Sequence, residues 1–512
     1  MSAQTMQMLI SIIIYMALII LIGVYYAKRA NRSSSEFYLG GRSLGPFVTA
    51  MSAEASDMSG WLLMGLPGLA LLCGTAEAVW TAFGLAVGTY LNWLIVAKRI
   101  RRYSEAAGDA YTIPGFFSNR FLEKHNVLMT ISALVIIVFF VPYTASGFMT
   151  CGKLFASLFG LSYHTSMLLA AAIIIAYTVI GGFLAASVTD FVQSIVMTIA
   201  LLVVIVFGVR AAGGFSAVFE NAKSIAGYLS LTEWVSAGTV KSYGALDILS
   251  TLAWGLGYFG MPHVLLRFMA IREDSKLKLS RRVATGWVVL SMGAAILIGI
   301  IGNQLVANGT IASFASTAES ETILVEIAKL LSGNGVVWAL VAGVILAGIL
   351  AATMSTADSQ LLTAASAVSE NLIGGTFGKK ISKKTGMWIA RLTVLAVSVV
   401  GIVLAWNPNS SVFEVVSFAW AGFGATFGPL MLCCLFWRRT NLYGAISGMI
   451  TGGVMVFVWK FLVRPNVDAL NFYELLPAFL LSAAVIIVVS LLTKAPEKAV
   501  TDVFDRVRAM KD

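Results

Sequence analysis

Apolar runs long enough to cross a bilayer recur along this chain, separated by short polar connections. A helix needs about 20 apolar residues to traverse the roughly 30 Å hydrocarbon core. On that measure about thirteen runs qualify, at roughly 6–26, 46–73, 77–97, 127–151, 162–181, 188–209, 246–268, 284–306, 335–366, 387–406, 411–436, 441–463 and 473–493. The pattern predicts an all-α polytopic membrane protein forming a single integral membrane domain over 1–512. Three of the runs, 46–73, 246–268 and 335–366, carry Gly, Pro, Ser, Thr or Asp inside apolar surroundings. The count of spans depends on keeping them.

Composition agrees. Hydrophobic residues make up 58% of the chain and charged residues 12%, about half the charged fraction of a soluble domain. Mean hydropathy is +0.87. So apolar a chain cannot hide its side chains in one aqueous core. The first run has no basic segment before it, is followed by Lys28 and Arg29, and is long enough to span. It reads as a membrane helix rather than a secretory signal.

A net charge of +10 would suit a nucleic-acid partner, but the basic residues sit in short loops between apolar runs, as the positive-inside rule requires. Arg42 and its neighbours occupy the first such loop. Lys98 to Lys124 occupy the next, Arg267 to Arg282 a third, 379–384 a fourth, and Arg438 with Arg439 a fifth. Connection 182–187 has no basic residue and is the exception. The alternation predicts an outside N-terminus and an inside C-terminus, with the tail 494–512 cytoplasmic as a short amphipathic helix or a disordered end. The outer connections 210–245 and 307–334 are long enough for small surface helices.

Chemistry is concentrated in the interrupted runs. The stretch SDMSGWLLMGLPG, 56–68, places Asp57 where a carboxylate costs roughly 2.5–3.5 kcal/mol at mid-bilayer. Ser56, Ser59, Gly60, Gly65, Pro67 and Gly68 disfavour a continuous helix around it. A helix that unwinds at that depth frees carbonyl oxygens, tolerable only where they line a cavity or hold an ion. A second interrupted stretch, AWGLGYFGMPHVLLR at 253–267, puts Trp254, Tyr258 and Pro262 on one helical face at i, i+4 and i+8. Paired interruptions in two halves point to a transporter site. Their spacing implies inverted five-helix repeats, roughly 46–209 and 246–436, with 6–26, 441–463 and 473–493 added. The third stretch, LAATMSTADSQLL at 350–362, offers the adjacent hydroxyls of Ser355 and Thr356. Hydroxyls and carbonyls are suitable donors for a hard cation such as sodium. These two are expected to face carbonyls freed near Ala55 and Met58.

Other motifs carry less. Cys73, Cys151, Cys433 and Cys434 show no metal or disulfide spacing and read as packing residues. GxxxG at Gly84–Gly88, Gly424–Gly428 and Gly444–Gly448 marks at most close helix contacts. GRSLG at 41–45 matches a nucleophile-elbow pattern but lies in a basic loop, and neither GxxxxGK[ST] nor HExxH occurs. His125, His164 and His263 are read as loop or span-end residues without a role.

These three stretches, 56–68, 253–267 and 350–362, with EFYLGGRSLGP at 36–46, resemble the sodium/solute symporter family over nearly the full length. That resemblance implies a LeuT-like fold and a secondary transporter in the plasma membrane coupling inward sodium movement to L-proline uptake. It implies a sodium site of the Ala55, Met58 and Ala352 carbonyls with the Ser355 and Thr356 hydroxyls. It gives Asp57 and Arg42 roles in coupling, and places Ser59, Gly60, Tyr143, Trp254, Tyr258 and Pro262 at the substrate. No cofactor, nucleic acid or obligate protein partner is implied. Asp358, two residues past the hydroxyl pair, departs from the pattern and leaves room for a second ion or proton site. Rival readings are a symporter of a sugar, pantothenate or another carboxylate, proton coupling, a channel, and an intramembrane enzyme. No repeated filter loop supports a channel, and no acid/base pair supports an enzyme.

Overall fold

The computed structural model describes residues 2–30, 33–180, 182–236, 238–378 and 382–510. Almost every one of the apolar runs is a helix. Among the described residues, ten helices are long and apolar enough to cross a membrane, and the pair Pro46–Asp57 and Trp61–Cys73, bent by 63°, makes an eleventh if taken as one span. Shorter apolar helices, Tyr163–Thr178 and Ala245–Phe259, occupy two more of the expected positions.

The first break is built as its sequence suggests. Helix Pro46–Asp57 stops at Met58, where ψ turns to 71°. Ser59 N–H then bonds the Asp57 carbonyl instead of continuing the ladder to Ala55, and Leu62 N–H bonds Ser59 rather than Met58. The carbonyls of Ala55 and Met58 are thereby released from their usual partners. Wide turns over Trp61–Gly65 lead into helix Leu66–Cys73, with Pro67 in its first turn, where a missing N–H costs nothing.

The second break differs from the expected ladder. Ala245–Leu252 is α-helical, Ala253–Phe259 tightens to a 3-10 helix, and a new helix Pro262–Ala270 begins after Met261. Trp254, Tyr258 and Pro262 therefore do not lie on one continuous α-helical face. Close approach is the reason glycine is needed here. A Cβ on Gly255 would strike the backbone of Gly84, and one on Gly257 would strike the Trp420 indole. Of the GxxxG pairs, Gly84 and Gly88 lie against Leu252 and Gly255, and Gly444 and Gly448 lie against Ser490 and Ile486. They do mark helix contacts within the chain.

The third polar run is not interrupted. Val336–Ser366 is one helix, continued in wide turns through Thr376. Its hydroxyls explain this. Thr353, Thr356, Ser359 and Thr363 each bond back to the carbonyl four residues earlier, satisfying themselves without diverting the backbone. This helix packs against Ala3–Ala30, Val127–Phe159 and Phe183–Ala211 and forms the centre of the bundle.

The connections expected to be outer, 210–245 and 307–334, contain the helices Phe215–Ser224 and Ile323–Ser332. They also contain an antiparallel hairpin, Glu233–Ser236 with Thr239–Ser242, which the all-α expectation omits. The tail is a helix, Lys498–Ala509, whose Val500, Phe504 and Val507 are buried.

Candidate functional site

The two breaks meet through Tyr258 on Asp57 and Trp254 on Trp61, and the Val336–Ser366 helix runs beside the first. Ser355 Oγ donates to the Ala55 carbonyl at 2.7 Å and lies 3.1 Å from the Ala352 carbonyl. Thr356 Oγ1 donates to the same Ala352 carbonyl at 3.1 Å. Four of the five expected sodium donors are thus joined by hydrogen bonds. The fifth, Met58, is buried at the break itself.

The Asp57 side chain points elsewhere, into the second break. Tyr258 donates to its Oδ2 at 2.6 Å, and Oδ1 is buried without a partner. The Asp57 carbonyl accepts from Tyr143 at 3.1 Å and from the Trp61 indole at 3.2 Å. Tyr143 therefore belongs to the break. Ser59 and Gly60 are buried there too, and a Cβ on Gly60 would strike Thr150.

Trp254 packs on Trp61, Phe413 and Trp420 and stacks on Tyr473 with ring centres 5.3 Å apart. Tyr258 meets the same Trp420 edge-on at 5.0 Å. Both aromatic residues thus pack on Trp420 at the break. Pro262 is also buried, but it opens the next helix.

Arg42 ties down the basic end of both broken segments. It bonds Asp109 at 2.9 Å, the Met269 carbonyl at 2.6 Å, and the Ala110 carbonyl at 3.0 Å. Backbone bonds from Leu44 to Ala270 and from Arg272 to Leu44 complete the junction.

Several polar residues at this centre are misplaced, or left without partners, by the sequence alone. Arg267, assigned above to a basic loop, is instead buried. It pairs with Asp190 at 3.0 Å and also bonds Ser52 and Ser359, since an isolated buried charge is prohibitive. His263 is not at a span end; it is buried beside Phe140 and Tyr143. Glu54, one turn before Asp57, accepts from Trp93 at 2.9 Å. Asp358 accepts from Thr178 at 2.7 Å. The signal for Glu54 and Asp190 was present, as acids inside apolar runs.

Two opposed helix breaks, one with released carbonyls facing hydroxyls of a neighbouring helix, define the core of a secondary membrane transporter. The comparisons agree. The family model described as the sodium:solute symporter family matches residues 37–452. A sodium/proline symporter of Staphylococcus aureus (strain USA300 / TCH1516) is 42% identical over 508 residues, 98% of this chain and 96% of the relative. A sodium-coupled sialic acid symporter, solved substrate-bound and outward-open, superposes with TM-score 0.78 at 16% identity, covering 96% of this chain and 99% of its own. MhsT in complex with L-phenylalanine gives TM-score 0.52 at 13% identity, over 87% and 97%. The chain belongs to the sodium:solute symporter family. It is a multi-pass transporter of LeuT-like fold, not an enzyme.

Proposed function

We propose that the protein couples inward sodium movement to the uptake of L-proline by alternating access in the plasma membrane. The carrying observation is the convergence of Ser355 and Thr356 on the Ala55 and Ala352 carbonyls at the break. The substrate assignment rests on the identity with sodium/proline symporters over nearly the whole chain.

In this reading sodium is bound by the carbonyls of Ala55, Met58 and Ala352 and the hydroxyls of Ser355 and Thr356. The ion replaces the hydrogen bonds that now join these groups, and so holds the first broken helix against Val336–Ser366. Asp57 contributes negative charge close by and carries the change to Tyr258 through their hydrogen bond. Proline binds between the breaks. Its carboxylate suits the N-terminal end of the half-helix that starts at Trp61, beside Ser59 and Gly60. Its ammonium and ring suit the aromatic surfaces of Trp254, Tyr258 and Tyr143, with Pro262 closing the wall. Arg42 sets how the basic ends of the two broken segments part.

In this reading the chain has thirteen spans, with the N-terminus outside and inverted repeats over 46–209 and 246–436; among the described residues, ten helices and one bent pair are long and apolar enough to cross. One charge crossing about 100 mV supplies roughly 2.3 kcal/mol, enough for more than tenfold accumulation.

Radiolabelled L-proline uptake into proteoliposomes, with and without an inward sodium gradient and with competing solutes, tests the proposal. Sodium-driven accumulation blocked by excess proline is expected. Sodium-driven uptake of a different solute overturns the substrate, and uptake indifferent to sodium overturns the ion site.

A further inference from the structure

A cavity of 1080 Å³ opens at the basic end of the molecule, between the end of the helical stretch 76–106, the start of Leu277–Ala307 and the tail helix. Its walls carry Lys98, Arg99, Arg102, Lys278, Arg281 and Arg508 against one carboxylate, Asp274. So uneven a charge on one cavity calls for an anionic occupant.

The other walls say which kind. Leu94, Ile95 and Phe436 also line the cavity, and all three are exposed. Leu94 and Ile95 lie one turn before Lys98 and Arg99 on the same helix, so the cavity straddles the step from the hydrocarbon-facing surface to the basic loops. Arg281 bridges the two zones, its guanidinium 5.2 Å from the exposed Tyr90 ring, with a buried Nε that has no hydrogen-bond partner among the described residues. A soluble anion needs the cations alone. A phospholipid uses both surfaces, with its phosphate on the cations and its acyl chains along Leu94, Ile95 and Tyr90.

The third wall is the tail helix Lys498–Ala509. Arg102 bonds the Met510 carbonyl at 3.0 Å and pairs with Asp274 at 2.5 Å. Arg506 bonds the Ala106 carbonyl at 3.2 Å. Phe504 packs on Tyr103. The cavity therefore requires the docked tail.

We propose that this cavity is a binding site for the headgroup of an anionic phospholipid, formed jointly by the 97–106 segment, the start of Leu277–Ala307 and the C-terminal helix. An occupant here bridges the tail to the helix whose Arg101 bonds the Ile271 carbonyl at the end of the second broken segment.

The test is native mass spectrometry of the full-length purified protein, titrated with phosphatidylglycerol or phosphatidylcholine of matched chains, with a parallel arm in inorganic phosphate. The wild type should retain phosphatidylglycerol in preference to phosphatidylcholine. Lys278→Gln with Arg281→Gln should weaken phosphatidylglycerol binding about fivefold or more and leave phosphatidylcholine unchanged. Asp274→Asn removes the one carboxylate and should strengthen it, a gain that damaged folding cannot produce. Equal retention of the two lipids by the wild type, or no change in either variant, overturns the proposal. Displacement of the lipid by millimolar inorganic phosphate also overturns it, in favour of a soluble anion.

Discussion

Ser355 Oγ donates to the Ala55 carbonyl at 2.7 Å, joining residues 300 positions apart where the first broken helix has given up its own ladder. The bond holds together two groups that the proposed ion would use as ligands. Ser355→Ala removes one ligand and the donor at once. Losing a ligand of this kind costs about 1.4 kcal/mol or more, so the sodium concentration for half-maximal proline uptake should rise about tenfold. Sodium titrations of uptake in proteoliposomes read this directly. An unchanged half-saturation would falsify the ion site.

The crossing of Gly88 with Gly255 leaves no room for a methyl group, because the obstruction is backbone on both sides. Gly88→Ala should destabilise the fold by about 1–3 kcal/mol through overpacking. It should lower the melting temperature of the purified protein. Gly293→Ala makes the contrast, since a Cβ there meets open space, and it should leave the melting temperature unchanged or slightly raised. Equal behaviour of the two variants would show that the crossing is looser than described.

Arg267 and Asp190 form an ion pair with both side chains essentially buried. Removing one partner strands a charge and costs about 3–5 kcal/mol, while replacing both with apolar residues of similar volume recovers much of it. Arg267→Met should thus express poorly or melt early, and Arg267→Met with Asp190→Leu should melt closer to the wild type. Additive losses in the double variant would mean that Ser52 and Ser359, which also bond Arg267, carry the stability instead.

Arg438 grips Asp505 with both carboxylate oxygens at 2.9–3.1 Å. Hydrogen bonding from Arg438 holds the Asp505 carboxyl below its ordinary value. A depressed carboxyl stabilises the docked helix above the ordinary aspartate range, and that contribution is lost as pH falls through the folded value. Hydrogen exchange of residues 498–509 should therefore quicken relative to the rest of the chain as the medium is acidified below about pH 4, and high salt should mimic part of the effect. Exchange that keeps pace with the core at low pH would place the anchoring on Phe504 and Val507 alone.

How much of this was legible in the sequence follows the physics of each feature. The break at Met58 was legible because Ser59, Gly60, Pro67 and Asp57 each weaken a helix or resist lipid, and they cluster within one run. The hydroxyl pair was legible because Ser355 and Thr356 are adjacent. Its helix stays continuous because the hydroxyls bond back to their own turn, as Thr356 does to Ala352. The Trp254, Tyr258 and Pro262 ladder assumed 3.6 residues per turn, whereas the chain tightens to a 3-10 helix there and breaks before Pro262. Arg267 was misplaced because a cation at the end of an apolar run looks like a loop residue until its partner is known. That partner, Asp190, lies 77 positions away, beyond the reach of local pattern.

The central claim is that sodium at the Ala55–Ser355 junction and proline at the facing breaks stabilise the same shape of the first broken helix. Coupling of that kind is reciprocal at equilibrium. The most direct measurement is the dissociation constant of L-proline for the purified protein across a sodium series, paired with the dissociation constant of sodium with and without proline. Each ligand should tighten the other by the same factor, and Ser355→Ala should abolish most of that factor. Proline affinity independent of sodium would contradict it.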